Sequence, residues 1–341
     1  MHLKKAVLLV VIAILLTFCS ISGVSSTHRI QTITSPTNSL AQTQSDLSGV
    51  NVGVYKAYDD FVPSRTNGSQ TAIVNMLRWM NATVRIFNTT DIINGALWAC
   101  EVLVIPEGLG PNLESLLTGE GLQAIREWVA SGGSYIGVRG SAAMAVQYSY
   151  FEGVWTEFDL ALINGTSYEV TDLGHTTIAN VSINRDCTGP DLSDMPEEMS
   201  VLFQTGRYIL PNEGQELIYI ANYTHSNLPA MVASYYGEGT VFISSPHFEY
   251  EENGDRDGTD YRDMYDDPDS EWPFILRITQ WLIDSTPTVC NVTDWPTTPT
   301  PTPTGTNPPP TNPSIPMEIV IAGGGLGVVV IVVIAVYMRR R

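Results

Sequence analysis

The segment 134–143 constrains the fold of this chain more than any other, because a short apolar stretch runs directly into glycines and other small residues. Tyr135 to Val138 have the composition of a buried strand, and Gly140 allows a very tight turn into a helix. Hydrolytic α/β proteins use a strained strand-to-helix corner of this kind to present a nucleophile beside backbone N–H groups. The residue at this corner is Arg139, which cannot act as a nucleophile.

Strands and helices alternate along the chain up to this corner. Segments with helical periodicity separate three apolar strands: Val50–Tyr55, Ala82–Phe87 and Glu101–Pro106. This alternation implies right-handed βαβ units. We therefore predict an α/β three-layer sandwich with a mostly parallel central sheet.

Ligands of parallel sheets bind beyond the carboxyl ends of the strands. Loops 56–60, 106–110 and 139–142 each follow a predicted strand, so we expect them to meet at one site. Beyond Phe158 the strands become shorter, and one of them, Thr240–Ser244, leads into His247 and Glu249.

The two ends of the chain predict an exported protein that is anchored in a membrane. Two lysines precede an apolar run that ends in small residues, as in a signal peptide, and a second apolar run is long enough to cross a bilayer. By the positive-inside rule, the arginines that follow stay in the cytoplasm. The predicted segments are a signal peptide 1–26, a disordered lead-in 27–48, an extracytoplasmic domain 49–290, a Thr/Pro-rich stalk 291–317, a single transmembrane helix 318–338 and a basic tail 339–341.

The formal net charge of −19 argues against nucleic acid as a partner. Export makes glycosylation and one disulfide plausible. Cys187 and Cys290 are the predicted pair, because Cys100 precedes an apolar strand and is interpreted as a buried small residue. The glycosylation sequons are at Asn67, Asn81, Asn88, Asn164, Asn180, Asn222 and Asn291.

Four motifs occur in a characteristic order: Pro106-Glu-Gly108 after a strand, Gly132-Gly133 after a helix, the turn Gly137–Ser141, and His247-Phe-Glu249 after a late strand. In this order and spacing, residues 51–284 resemble the class I glutamine amidotransferase-like superfamily. Within it, they are most similar to the group related to the N-terminal domain of biotin–protein ligases. The resemblance implies a flavodoxin-like, amidotransferase-like fold.

The resemblance also implies roles for single residues. In that superfamily a cysteine stands at the corner, a histidine moves the proton, and an acid two residues later orients the imidazole. Carried over by position, His247 is the histidine, Glu249 is the acid, and Arg139 stands in place of the cysteine. The family's Pro-Gly-Gly loop has Glu107 at its middle position here, so the site has an acid–base pair but no nucleophile.

Two interpretations of Arg139 follow. Its guanidinium could bind a small anionic ligand beside Gly140, Ser141, Glu107 and Gly108, or it could form an internal salt bridge with Glu107 or Glu249 that fills the pocket. Other routes to catalysis would use Ser141 as the nucleophile or a pair of carboxylates drawn from Asp59, Asp60 and Glu107.

The acidic segment that follows Glu249 resembles part of a calcium loop. Asn253, Asp255 and Asp257 occupy positions 1, 3 and 5 of that pattern, and Asp260 follows. Position 12 is Met264, so the pattern is incomplete, and a solvated acidic loop is the alternative. Calcium is the one candidate cofactor.

These features predict a membrane-anchored, extracytoplasmic domain that binds a small anion or a surface protein, or acts as a scaffold, without glutaminase activity. One alternative is an extracytoplasmic hydrolase or amide-transfer enzyme that uses His247 and Glu249 with an unconventional nucleophile. A second is a sugar-binding module, by analogy with trehalose-utilisation-like proteins.

Overall fold

The computed structural model describes residues 46–56, 63–251, 256–265 and 270–286. The predicted signal peptide, stalk, transmembrane helix and basic tail lie outside these residues, so they remain predictions. Among the described residues, no helix combines the length and apolar character needed to span a bilayer.

The helices of the described residues are α1 (Pro63–Trp79), α2 (Thr89–Ile93), a 3₁₀ turn (Ala96–Ala99), α3 (Gly110–Ala130), α4 (Gly140–Met144) and α5 (Trp272–Asp284). The strands are β1 (Asn51–Tyr55), β2 (Thr83–Phe87), β3 (Val102–Ile105), β4 (Ser134–Val138), β5 (Val146–Phe151), β6 (Val154–Glu157), β7 (Ile163–Glu169), β8 (Thr176–Ile183), β9 (Glu198–Gln204), β10 (Arg207–Pro211), β11 (Ile218–Tyr223), β12 (Pro229–Tyr236) and β13 (Gly239–Ser244).

The central sheet has the strand order β2-β1-β3-β4-β13-β12-β11-β8-β9. Its first five strands are parallel, which confirms the βαβ prediction for that half. The remaining strands pair antiparallel, so the sheet as a whole is mixed. The antiparallel extension consists of β8, β9, β11 and β12, which follow Phe158 in the sequence. These strands have 6–8 residues and are longer than β1–β4, so the prediction of shorter strands in this region is wrong.

Helices cover both faces of the parallel half, because its strands are apolar on both sides. Val102 and Val104 pack with residues of α1 and α5, whereas Leu103 and Ile105 pack with residues of α3. The helical periodicity between β3 and β4 comes from α3, which contains a break at Thr118 (φ 61°). The three-layer arrangement therefore holds where the sequence predicts it.

A second sheet of four strands, in the order β10-β7-β5-β6, packs through Val146, Ile163 and Ile209 onto the same core as α3. No pattern in the sequence predicts this sheet. Its strands carry many tyrosines, serines and threonines, which give no clear alternation of apolar and polar residues.

The crossing of α3 over β13 yields a test of the fold. A Cβ atom at Gly239 would lie 2.0 Å from the carbonyl oxygen of Val129, whereas one at Gly119 would meet nothing within 4 Å. We predict that Gly239→Ala lowers the free energy of unfolding by about 2 kcal/mol or more. The matched Gly119→Ala should leave it unchanged or raise it by up to about 1 kcal/mol. Urea denaturation measures both, and equal effects would contradict the packing.

Candidate functional site

Arg139 lies at the corner between β4 and α4, as the sequence predicts. Its backbone dihedral angles, φ 57° and ψ −110°, are outside the regions that side-chain-bearing residues prefer. Such a conformation costs about 1–3 kcal/mol and persists only where the surroundings enforce it. The Arg139 N–H donates to the carbonyl oxygen of Ser244 at 2.9 Å, which ties the corner to the end of β13.

Ser141 stabilises this corner from inside. Its hydroxyl oxygen lies 2.6 Å from the carbonyl oxygen of Ile105 and accepts a hydrogen bond from the Val138 N–H at 2.8 Å. The side chain is fully buried. This arrangement favours a role in holding β3, β4 and α4 together over a role as nucleophile.

The loop after β3 lies directly against the corner. A Cβ atom at Gly140 would lie 1.6 Å from the carbonyl oxygen of Gly108, so only glycine fits there. Glu107, the residue before Gly108, turns its side chain toward Arg139. The structure thus brings together the predicted loops 106–110 and 139–142, whereas residues 57–60 of the third loop lie outside the described residues.

Arg139 and Glu107 form a buried salt bridge. The Arg139 Nε and Nη2 atoms each lie 3.2 Å from Glu107 Oε1, and Nη1 donates to the Thr205 hydroxyl at 3.2 Å. The side chains of Arg139 and Glu107 are 10% and 5% exposed. Of the two interpretations of Arg139, the structure contains the internal salt bridge.

His247 and Glu249 form the predicted pair. His247 Nδ1 lies 3.0 Å from Glu249 Oε1, and both side chains are fully buried. Ser69 donates to the same carboxylate at 2.7 Å, and the Phe248 N–H donates to Oε2 at 3.0 Å. Burial opposes ionisation of Glu249, but the His247 charge and these hydrogen bonds together lower the pKa of its carboxyl below its ordinary value.

The other ring nitrogen of His247 faces the salt bridge. Nε2 lies 3.7 Å from Glu107 Oε2, which is beyond hydrogen-bonding distance. Both atoms are buried, and neither has a hydrogen-bond partner among the described residues. The imidazole nitrogen that would deprotonate a nucleophile is therefore directed at a carboxylate.

A second arginine, Arg207, lies near Arg139 at the start of β10. Its guanidinium packs 4.4 Å from the centre of the Phe151 ring. Burial and the charge of Arg139 lower the pKa of Arg207 to about 10, so it stays protonated at neutral pH. The carboxylates of Glu169 and Glu152 favour the charged form of Arg207.

Tyr250 covers the His247 ring. The two ring centroids are 5.1 Å apart, and Tyr261 lies 4.8 Å beyond Tyr250. Burial, together with the nearby carboxylates of Glu249 and Glu107, raises the pKa of the Tyr250 hydroxyl well above its ordinary value. This aromatic cover keeps His247 out of contact with solvent.

Four residues of the site were not predicted from the sequence: Ser69, Thr205, Arg207 and Tyr250. Ser69 lies within α1, far from any motif, and only the fold brings it to Glu249. Tyr250 could have been included, because it directly follows the His247-Phe-Glu249 motif.

Only part of the predicted calcium loop is described. Asp257 is buried, and its carboxylate accepts hydrogen bonds from the N–H groups of Thr259 and Glu251 at 2.7 and 3.1 Å. Burial raises the pKa of Asp257. Asp260 is exposed, and the described residues contain no cluster of three potential metal ligands. Asn253 and Asp255 lie outside the described residues, so calcium binding remains a prediction.

The other predicted modification sites that the structure describes differ in exposure. Cys187 is half-buried, and its thiol donates to the Pro190 carbonyl oxygen at 3.3 Å. Its predicted partner Cys290 lies outside the described residues, as does Asn291. Asn67 is in α1 and Asn222 is half-buried, whereas four sequon asparagines are exposed: Asn81, Asn88, Asn164 and Asn180.

Residues 51–267 match the family model described as biotin-protein ligase, N terminal. The chain belongs to this family. The match covers more than half of the chain and includes both Arg139 and the His247–Glu249 pair. It confirms the resemblance to the class I glutamine amidotransferase-like superfamily. No curated protein matches the sequence.

Several solved structures are similar to this member of the biotin-protein ligase N-terminal family. A glutamine amidotransferase is 14% identical, with a TM-score of 0.43 over 57% of this chain and 89% of the other. A ThuA-like protein from Bacteroides uniformis is 10% identical, with a TM-score of 0.44 over 68% and 90%. A glutamine amidotransferase from Thermotoga maritima is 13% identical, with a TM-score of 0.42 over 68% and 90%.

The buried salt bridge predicts strong energetic coupling between its partners. Arg139→Met leaves Glu107 buried without its counter-ion and should cost about 3 kcal/mol of unfolding free energy. In a double-mutant cycle with Glu107→Gln, we expect a coupling of about 1–3 kcal/mol. The exposed pair Arg277–Asp194 (2.9 Å) is the control, with an expected coupling below about 1 kcal/mol. Similar coupling in both cycles would contradict a buried pair.

The lowered pKa of Glu249 predicts a contribution to acid sensitivity. Its ionised form stabilises the fold above the unfolded pKa, and this stabilisation is lost as pH falls through the folded pKa. Glu249→Gln should therefore be less stable than the native chain at pH 7 and should lose less further stability between about pH 5 and pH 3. Chemical denaturation across this range tests the expectation. Parallel curves of unfolding free energy against pH for the native chain and the variant would contradict the expectation. The control is Glu120→Gln, because Glu120 is exposed.

Proposed function

We propose that this chain is a membrane-anchored, extracytoplasmic module with an amidotransferase-like fold that does not hydrolyse glutamine and acts in binding or as a scaffold. The observation that carries the proposal is the environment of His247 Nε2, which faces Glu107 Oε2 at 3.7 Å. In a catalytic triad this nitrogen takes the proton of the nucleophile. Here the corner residue is Arg139, and its guanidinium is paired with Glu107.

The two departures from the family pattern support one another. Glu107 stands where the superfamily has glycine, Arg139 stands where it has cysteine, and the two side chains contact each other. A lone glutamate in this buried position would be costly, as would a lone arginine. Together they replace a nucleophile and an open loop with a neutral pair that occupies the pocket.

The alternative function is an extracytoplasmic hydrolase or amide-transfer enzyme. The intact His247–Glu249 hydrogen bond at 3.0 Å favours it, because this pair is the acid–base half of a triad. Such an enzyme would need a nucleophile within reach of Nε2, at the position that Glu107 Oε2 occupies in the structure. The alternative therefore requires the Arg139–Glu107 pair to open.

Ammonia release from glutamine and from a panel of simple amides tests the proposal on the purified full-length chain. We expect native protein and His247→Ala to give the same background rate, since loss of a nucleophile typically costs several orders of magnitude. The double variant Glu107→Gly/Arg139→Cys restores the family's loop and corner and provides a positive comparison. Turnover by native protein that His247→Ala abolishes would overturn the proposal in favour of the enzyme.

A further inference from the structure

A row of aromatic side chains crosses the four-stranded sheet. Tyr150 on β5 is in register with Trp155 on β6 and with Tyr168 on β7, and Tyr168 is in register with Tyr208 on β10. The rings of Tyr150 and Trp155 are 5.1 Å apart, and those of Tyr168 and Tyr208 are stacked at 5.4 Å. Because residues in register share a face, these four side chains form a single aromatic row.

The aromatic row lies on the outer face of this sheet. Trp155 is 60% exposed, and Tyr150 and Leu210, which points to the same face two residues beyond Tyr208, are each 38% exposed. The opposite face carries Ile163 and Ile209, which are buried in the core. A contiguous exposed apolar face of this kind is typically covered by a ligand or partner.

Asn164 lies on the same strand and the same face. It precedes Tyr168 by four residues on β7, about 13 Å along the strand, with Thr166 between them. The side-chain amide of Asn212 donates to Asn164 Oδ1 at 2.9 Å. The Nδ2 atom of Asn164 therefore points away from Asn212. Asn164 is exposed and begins a glycosylation sequon. A sugar chain that starts at Nδ2 would emerge from the face that carries the aromatic row.

The chemistry of this face suits a sugar. The row that follows the aromatic row along the strands contains Tyr148, Thr166, Leu210 and Glu157, so it offers aromatic and apolar surface with one carboxylate and no cation. Sugar rings present C–H groups that pack on aromatic faces, and their hydroxyls hydrogen-bond to side chains such as Asn212.

We propose that a glycan on Asn164 lies across the outer face of the four-stranded sheet and covers the aromatic row. The inference rests on the export that the proposed function includes, and it is independent of the catalytic state of His247. It gives a packing partner to Tyr150 and Trp155, the two exposed side chains of the row.

Asn180 provides a matched control. It is also an exposed sequon asparagine within a strand, β8, but its neighbour in register is Ser200 instead of an aromatic residue. A glycan on Asn180 should extend into solvent without an aromatic face beneath it.

The experiment compares Asn164→Gln with Asn180→Gln in the full-length chain, made both in a eukaryotic host that N-glycosylates and in a bacterial host that does not. With glycans present, we expect Asn164→Gln to lower the melting temperature by about 2–4 °C more than Asn180→Gln and to increase binding of a hydrophobic dye. In the bacterial host this extra loss of melting temperature should disappear. That result would distinguish the effect of the glycan from the effect of losing the hydrogen bond between Asn164 and Asn212. In a Tyr168→Ser/Tyr208→Ser background the extra loss should also disappear.

Mass spectrometry of site occupancy completes the test. Occupied Asn164 with the expected host-dependent shift supports the inference. An unoccupied Asn164 beside other occupied sequons overturns the inference and leaves the proposed function intact. The same loss of stability in both hosts also overturns it, because the asparagine side chain alone would then account for the effect. Absence of glycans from every sequon would contradict both the inference and the proposed export.

Discussion

The structure of the site depends on one buried charge pair, Arg139 with Glu107. Arg139 occupies a strained corner that the fold enforces, and its guanidinium would be costly to bury alone. Glu107 provides the counter-charge from the neighbouring loop, and the Gly108–Gly140 contact holds loop and corner together. His247 then packs against this pair and against Glu249. The corner, His247 and Glu249 are thereby brought together around one buried ion pair.

The sequence was most informative where strands are apolar on both faces and glycines fix the backbone. The parallel half of the sheet, the corner at Arg139 and the His247–Glu249 pair were all predictable, because short motifs in a fixed order determine them. The salt bridge to Glu107 was one of two interpretations. The structure was needed to decide between them, because the choice depends on side-chain packing between two residues that are 32 positions apart in sequence.

Other features could not be predicted for physical reasons. Ser69 reaches Glu249 across 180 residues, and no local pattern encodes such a contact. The strands of the second sheet are rich in hydroxyl side chains, so their sequences lack the alternation that predicts strands. The sequence also does not show that four aromatic residues share one face of this sheet. Their alignment follows from the strand pairing and involves Tyr150, Trp155, Tyr168 and Tyr208.

Covalent trapping tests the central claim most directly. An electrophilic analogue of glutamine reacts with an activated nucleophile in an amidotransferase-like site, and intact-mass spectrometry of the full-length chain detects the adduct. The account predicts that the native mass stays unchanged, because His247 faces Glu107 and the corner residue is Arg139. An adduct on Ser69, Ser141 or Thr205 that His247→Ala prevents would contradict it.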